Sequence, residues 1–282
     1  MVLKRSRWLV ALVLLALTAL VACGGGDADK AAEHYVTGTQ LAAAGQWRTA
    51  IKEFDESIRL DPTEADAHVN RGIAYAEIGE LAMALEDYNE AIRLDPNIAD
   101  AYYNRALAYG NLDSYAQAVV DYTDAIRLNP SFAEAYFNRG FSHRQLGQLV
   151  MAVEDFGNAI ILDSTDVEAY RFRAVANRDL GEYELAIQDF DQMIRLSPTD
   201  ANTYVDRGIA YDNMSEHERA IEDFDQAISI NPDLALAYAN RALVLAFIGR
   251  EEEARADAEL AIGLGVDREV METNLELNLI HE

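Results

Sequence analysis

Residues 65–98 read ADAHVNRGIAYAEIGELAMALEDYNEAIRLDPNI, and residues 99–132 continue with ADAYYNRALAYGNLDSYAQAVVDYTDAIRLNPSF. Both stretches are 34 residues long, and the five prolines of the chain keep the same period, at spacings of 34, 34, 68 and 34 residues. Extended in both directions, this register divides the chain into seven tandem repeats without an insertion or a deletion. The repeats are 31–64, 65–98, 99–132, 133–166, 167–200, 201–234 and 235–268.

Each repeat carries the signals of two helices with a break between them. The eighth and twentieth places hold only Gly or Ala, which lets two helices approach closely. Between these places, five repeats have Gly and the other two have Asp113 and Ser215, residues that favour a left-handed helix end. A Pro closes five repeats because it cannot continue the second helix. The sequence therefore predicts an all-α chain of helix-turn-helix repeats.

The order of these residues resembles the tetratricopeptide repeat (TPR): an aromatic residue, Gly or Ala, and Tyr in the first helix, then Ala, Phe or Tyr, Ala and Pro in the second. The resemblance spans residues 31–268 and implies a right-handed superhelical solenoid with a concave inner face. Residues 267–282 follow, with Asp267 as an N-cap and apolar residues at helical spacing, so we expect a C-terminal cap helix there. These apolar residues are Val270, Met271, Leu275 and Leu279.

The N-terminus has the composition of a targeting segment. Three basic residues precede an apolar stretch, residues 8–22, that at 15 residues is shorter than the ~20 needed to span a bilayer as a helix. Residues 20–23, Leu-Val-Ala-Cys, resemble a bacterial lipoprotein box, which implies cleavage before Cys23 and lipidation of Cys23. We expect a signal peptide at 1–22 and a lipid-anchored, Gly-rich tether at 23–30. An uncleaved anchor and a secreted chain with an unpaired Cys are the alternatives.

Composition limits the partners and the cellular location. With 49 acidic against 23 basic residues, the net charge of −26 repels nucleic acid and anionic lipids, so we expect no nucleic-acid partner and membrane contact through the lipid alone. A lipid on Cys23 implies attachment to the cell membrane or the outer membrane, on the extracytoplasmic side. Gly24 is not the Asp of an inner-membrane retention signal, which favours the outer membrane in a host with two membranes.

Six repeats have Arg at the seventh place of the first helix and Asp sixteen residues later. The helix break lies midway between them, so both lie at the same level of an antiparallel hairpin. Each Arg can then reach the Asp beside it or the one on a neighbouring hairpin, and a ladder of ion pairs is predicted. An alternative is that the Arg residues form a binding stripe for carboxylates or phosphates. The predicted pairs are Arg71 with Asp87, Arg105 with Asp121, Arg139 with Asp155, Arg173 with Asp189, Arg207 with Asp223 and Arg241 with Asp257.

No catalytic or cofactor motif is evident in the sequence. The five His residues are scattered, without zinc-ligand spacing, and packing is favoured over metal binding for those that replace Tyr of other repeats. We therefore predict no metal, no cofactor and no enzymatic activity. The carboxylate clamp of Hsp90 and Hsp70 co-chaperones is rejected, because Asn70, Asn104 and Asn138 match one element of it and no repeat supplies the rest.

The resulting hypothesis is a membrane-anchored scaffold or adaptor of the bacterial cell envelope that binds partner proteins or peptides in the concave groove. An envelope hydrolase or transferase with an unrecognised site is the alternative. The fifth, ninth and twelfth places of a first helix share one face, and in the TPR family that face lines the groove. The hypothetical partner-binding residues are Tyr103, Leu107, Phe137, Phe141, Arg144, Arg171, Val175 and Arg178.

Two interpretations of these groove residues stay open at the sequence level. In one, the three arginines hold an acidic group of a partner, and Phe137 and Phe141 contact an apolar side chain. In the other, Glu168, Asp179 and other nearby acids pair with the arginines, and the apolar residues only pack between repeats.

Overall fold

The computed structural model describes residues 26–279, and all regular secondary structure in this range is α-helical. The predicted all-α class of helix-turn-helix repeats is therefore confirmed. The described residues form two compact units, one that ends at Leu162 and one that begins at Asp163, which we call the N-terminal unit and the C-terminal unit.

The N-terminal unit contains four helical hairpins. Its helices are α1 (Asp27–Ala43), α2 (Trp47–Leu60), α3 (Ala65–Glu77), α4 (Leu81–Leu94), α5 (Ala99–Asn111), α6 (Tyr115–Leu128), α7 (Ala133–Gln145) and α8 (Leu149–Leu162). The two helices of each hairpin pack against each other, and each of α2, α4 and α6 also packs against the first helix of the following hairpin. The first helices α1, α3, α5 and α7 contact one another in that order, so they form one side of this unit.

The C-terminal unit contains three hairpins and a final helix. Its helices are α9 (Val167–Asp179), α10 (Tyr183–Leu196), α11 (Ala201–Asn213), α12 (His217–Ile230), α13 (Ala235–Phe247), α14 (Glu251–Gly263) and α15 (Arg268–Leu279). Helix α15 packs against α13 and α14, and the Asp267 carboxylate accepts a hydrogen bond from Val270 N at 3.0 Å at its start. Met271 and Leu275 are buried in this contact. Val270 is exposed, although the sequence groups it with the apolar face.

The break in each hairpin has the predicted left-handed residue. Gly45, Gly79, Gly147, Gly181 and Gly249 all have positive φ, and so do Asp113 (φ 55°) and Ser215 (φ 60°). Residues other than Gly rarely adopt a positive φ, although Asp tolerates it better than most. The two substitutions therefore preserve the turn at a cost in backbone strain.

Close approach within the hairpins explains the small residues of the eighth place. A Cβ atom added to Gly72 would lie 2.7 Å from Cε1 of Tyr88, and one added to Gly208 would lie 2.7 Å from Cε1 of Phe224. Aromatic rings of the second helix thus pack directly on the backbone of the first.

Helix α1 differs from the predicted repeat start. It begins at Asp27, four residues before position 31, so part of the predicted tether at 23–30 is helical. Asp27 and Asp29 lie in its first turn, where a negative charge stabilises the positive end of the helix dipole.

Candidate partner-binding surfaces

The Arg of each first helix, from α3 onward, pairs with an Asp of the second helix in its own hairpin. In the third repeat, Arg105 donates from Nε to Asp121 Oδ2 and from Nη2 to Asp121 Oδ1, each at 2.7 Å. The other five pairs have the same two-bond geometry, at 2.6–2.9 Å. These are the six pairs given by the sixteen-residue spacing: Arg71–Asp87, Arg105–Asp121, Arg139–Asp155, Arg173–Asp189, Arg207–Asp223 and Arg241–Asp257.

The Asp side chains of these pairs are buried. Burial raises the pKa of Asp189 and Asp223, although Arg173 and Arg207 act in the opposite direction. The ionised carboxylates therefore depend on their charge-assisted hydrogen bonds, and loss of an Arg alone would leave a buried charge unpaired. In five hairpins a Tyr ring three residues before the Arg lies 5.6–5.8 Å from the guanidinium carbon, which adds a cation–π contact.

A further bond joins consecutive hairpins, and sequence reasoning missed it. Guanidinium Nη1 donates to the side chain sixteen residues before the Arg, at the twenty-fifth place of the preceding repeat. The bonds are Arg71–Asp55 (2.7 Å), Arg105–Asn89 (2.7 Å), Arg139–Thr123 (3.1 Å), Arg207–Asp191 (2.5 Å) and Arg241–Asp225. The recurrence of Asp at that place in three of these repeats was the available signal.

The aromatic residues of the hypothetical groove site lie inside the N-terminal unit. Tyr103 is fully buried, and Phe137 and Phe141 are 2% and 7% exposed. The Tyr103 ring stacks on Phe132 with centroids 4.5 Å apart, and its hydroxyl accepts a hydrogen bond from Asn138 Nδ2 at 3.0 Å. Phe137 and Phe141 contact other rings, Phe156 at a centroid distance of 5.5 Å and Tyr115 at 6.3 Å, so all three aromatic residues pack within the unit.

Of the other hypothetical site residues, Leu107 and Arg144 are half-buried in the N-terminal unit, and three lie in the C-terminal unit. There, Arg171 Nη2 lies 3.3 Å from Asp200 Oδ2, and Val175 is half-buried.

Arg178 also pairs within the C-terminal unit. It lies 3.8 Å from an oxygen of Asp179 and 3.9 Å from one of Asp206. Burial raises the pKa of Asp206, and Arg178 and Arg171 oppose that effect. These contacts are of the kind expected if nearby acids pair with the arginines, and binding of a partner at these residues stays a prediction.

Histidines lie beside polar side chains of neighbouring helices. Nδ1 of His34 lies 2.7 Å from Glu53 Oε2, and Nδ1 of His68 lies 3.2 Å from Asp87 Oδ1. Within residues 26–279, no group of three or more His, Cys, Asp or Glu side chains is arranged to hold a metal ion.

Cys23 lies outside the residues that the structure describes. None of the helices between residues 26 and 279 combines the length and apolar character required to span a bilayer.

Family models assign the repeats. Models described as TPR repeat or tetratricopeptide repeat match residues 38–79 and 74–113, 99–132 and 201–234, 121–154, and 142–201, which together extend over residues 38–234. The chain therefore belongs to the tetratricopeptide repeat proteins. No curated protein sequence matches it significantly.

Solved structures share the fold. YrrB, described as a TPR protein with an unusual peptide-binding site, is 26% identical, with a TM-score of 0.61 over 65% of this chain and 95% of YrrB. A tetratricopeptide repeat protein from Parabacteroides merdae is 24% identical, with a TM-score of 0.58 over 89% of this chain and 99% of that one. PilF of Pseudomonas aeruginosa is 19% identical, with a TM-score of 0.62 over 77% of this chain and 99% of PilF.

Proposed function

We propose that this protein is a membrane-anchored scaffold of the bacterial cell envelope that binds segments of partner proteins on its first helices and acts by binding, without catalysis. The observation that carries the proposal is the array of TPR matches over residues 38–234, because proteins of this family act as protein-interaction scaffolds. The description of YrrB as having a peptide-binding site supports a peptide as the bound element.

Anchoring rests on the basic, apolar and small-residue sequence before Cys23, which resembles a lipoprotein signal peptide. A diacylglycerol group on the sulfur and an acyl chain on the new amine would give stable attachment. The test is fractionation of cells that express Cys23→Ser, with Gly25→Ser as a control next to the same box. We expect Cys23→Ser to leave the membrane fraction and the control to stay in it. A Cys23→Ser chain that stays in the membrane, with an N-terminus of unchanged mass, would contradict lipid anchoring.

Partner binding is tested by crosslinking intact cells and capturing the protein. Specific partners are expected, and purified protein should not hydrolyse envelope polymers. A crosslinked sample with no protein enriched over an empty-vector control would contradict the scaffold function.

The hypothetical site at Arg144, Arg171 and Arg178 has its own variant. Because Arg171 and Arg178 already pair with acids, an acidic partner group would have to displace Asp200 and Asp206. If these arginines hold a partner, changing all three to Ala should remove it from the captured set while the helix content by circular dichroism is kept. Capture of the same partners in the same amounts would exclude the site.

A further inference from the structure

Three carboxylates recur at one place on successive first helices of the N-terminal unit. Asp66, Asp100 and Glu134 are the second residues of α3, α5 and α7 and are spaced by 34 residues. Because α3 contacts α5 and α5 contacts α7, the three side chains lie along the side of the unit that the first helices form. Asp66 and Asp100 are exposed and Glu134 is partly exposed. The second places of the C-terminal unit hold Glu168, Asn202 and Leu236 instead.

None of these three carboxylates is paired with a cation within residues 26–279. Among the described residues, no hydrogen bond or ion pair involves the carboxylate of Asp66, Asp100 or Glu134. Burial raises the pKa of Asp100, and the charges of Asp66 and Glu134 raise it further. Asp100 is thus exposed to solvent, and the protein around its carboxylate still weakens the hydration of the charged form. Each of the three lies in the first turn of its helix, where the helix dipole stabilises part of its charge, but the repulsion among them remains, and a cation bound to this row would relieve it.

An apolar strip runs beside the row on the same helices. Ile73 and Leu107, at the ninth places of α3 and α5, are half-buried, and each lies seven residues after the carboxylate of its helix, on the same face. The fifth places of α3, α5 and α7 hold the buried residues Val69, Tyr103 and Phe137. The face therefore presents apolar side chains on a packed floor, with negative charges along one edge.

We propose that this face, made of Asp66, Asp100, Glu134, Ile73 and Leu107, binds a partner segment that carries Lys or Arg along one edge and apolar side chains beside it. The proposal rests on the scaffold function and adds the chemistry of the segment. Charge complementarity selects the occupant, since an acidic segment would add to the repulsion within the row.

The distance between neighbouring first helices predicts the distance between the Lys or Arg side chains of the partner segment. Helices in contact lie roughly 8–10 Å apart. A polyproline-type segment has three residues per turn and rises about 3.1 Å per residue, so side chains three residues apart lie on one edge about 9 Å from each other. A segment with a cation at every third residue therefore matches the row.

The test is binding of a labelled 12-residue peptide, four repeats of Lys-Leu-Pro, to the full-length chain by fluorescence anisotropy at several salt concentrations. A matched peptide has Glu in place of each Lys. The row variant combines Asp66→Asn, Asp100→Asn and Glu134→Gln. The control variant removes the same number of charges from exposed acids elsewhere in this unit, with Glu33→Gln, Glu86→Gln and Glu154→Gln.

We expect the Lys peptide to bind the wild-type chain, the row variant to bind it about tenfold more weakly and the control variant to change affinity less than twofold. Equal weakening in both variants would show attraction by net charge alone and overturn the proposal. Tighter binding of the Glu peptide, or unchanged binding by the row variant, would also overturn it. A wild-type dimer that the row variant loses, seen by sedimentation without peptide, would assign the face to a second copy and exclude the partner segment.

Failure here is separable from failure of the scaffold function. If crosslinking captures the same partners with the wild-type chain and with the row variant, the scaffold function stands and this face is not the site. If no partner is captured with either chain, the scaffold function itself fails.

Discussion

The bonds between consecutive hairpins differ in the two units. In the C-terminal unit, Arg207 and Arg241 reach a carboxylate of the preceding hairpin, Asp191 and Asp225. In the N-terminal unit, the second and third of the three bonds go to neutral groups, Asn89 and Thr123, and only the first, from Arg71, reaches a carboxylate. From the second hairpin to the seventh, in contrast, the bond within the hairpin is a two-bond Arg–Asp pair in both units.

This difference separates two roles of the same Arg. The pair within the hairpin holds the two helices of a repeat at a fixed level, and every repeat from the second to the seventh keeps it. The bond to the preceding hairpin adds to the helix packing that couples neighbouring repeats, and it varies with the residue at the twenty-fifth place. In repeat proteins, stability is approximately the sum of such internal and neighbour contributions.

Removing the Arg should have the largest effect, and a larger one in the C-terminal unit. Arg207→Leu leaves the buried Asp223 and also Asp191 without a cation, so we expect a loss of about 4 kcal/mol in local stability. Arg139→Leu leaves only one carboxylate, Asp155, without a cation, and it removes a neutral bond to the Thr123 hydroxyl. It should cost about 3 kcal/mol. Hydrogen exchange followed by mass spectrometry measures the protection of each hairpin separately.

The matched control is the double variant Arg139→Leu with Asp155→Leu. Because it removes the buried charge together with its partner, it should recover much of the loss. Additive losses in the double variant would show that the two side chains are not energetically coupled. Equal losses for Arg207→Leu and Arg139→Leu would show that the Asp191 carboxylate contributes no more as an acceptor than the Thr123 hydroxyl.

A second contrast concerns the twenty-fourth place. Tyr122 of the N-terminal unit has a buried hydroxyl with no hydrogen-bond partner, whereas Phe156 of the same unit and Phe190 and Phe224 of the C-terminal unit fill this place without a hydroxyl. Burial raises the pKa of Tyr122 well above its ordinary value, so the hydroxyl stays protonated. Tyr122→Phe should therefore stabilise the N-terminal unit by about 1 kcal/mol. Thermal unfolding gives the sign, and a destabilised variant would mean that the hydroxyl has a partner in solution.

Substitutions at the twenty-fifth place should exchange the kind of acceptor, neutral or charged, that the Arg of the next hairpin has in the two units. Thr123→Asp gives Arg139 a carboxylate acceptor like that of Arg207 and should stabilise the N-terminal unit by about 0.5 kcal/mol. Asp191→Thr makes the reverse change and should cost a similar amount. Urea unfolding in low and high salt measures both, and the Thr123→Asp gain should shrink in high salt. A gain that is independent of salt would not come from the new ion pair.

The smallest effect concerns the acid row of the N-terminal unit. The pKa of Asp100 is raised on folding, so its contribution to stability is fully present below the ordinary Asp pKa and is lost as the pH rises through the raised value. At pH 7, Asp100→Asn should therefore be more stable than the wild type by about 0.5 kcal/mol. The gain should fall as the pH is lowered through the raised pKa and disappear below the ordinary one. Glu154→Gln controls for net charge, and a gain that persists in acid would contradict the repulsion.

Much of the fold was accessible from the sequence because its signals are local and repeated. The 34-residue period predicted the helix breaks, including the left-handed Asp113 and Ser215. The first helix of each hairpin from α3 to α13 begins at the residue that opens its repeat. The spacing of Arg and Asp about each break predicted that the two lie at the same level, and the structure shows that each Arg pairs with the Asp of its own hairpin. The early start of α1 at Asp27 has no counterpart in the period and depends on the charges of its first turn.

Contacts between hairpins were harder to predict. The acceptors Asn89 and Thr123 depend on how one hairpin packs on the next, which the repeat pattern does not specify. Similarly, the face of a helix indicates the direction of a side chain but not its depth. Phe137 and Phe141, for example, are buried in the structure, although the sequence hypothesis places them in contact with a partner.

The most direct test of partner binding by the first helices is site-specific photocrosslinking in intact cells. A photoreactive amino acid at Leu107 lies on the face of the first helices, and one at Val120, which is 61% exposed, lies on the second helix of the same hairpin. If partners bind to the first helices, we expect discrete protein adducts from Leu107 and none from Val120. Adducts from Val120 alone, or the same adducts from both positions, would contradict it.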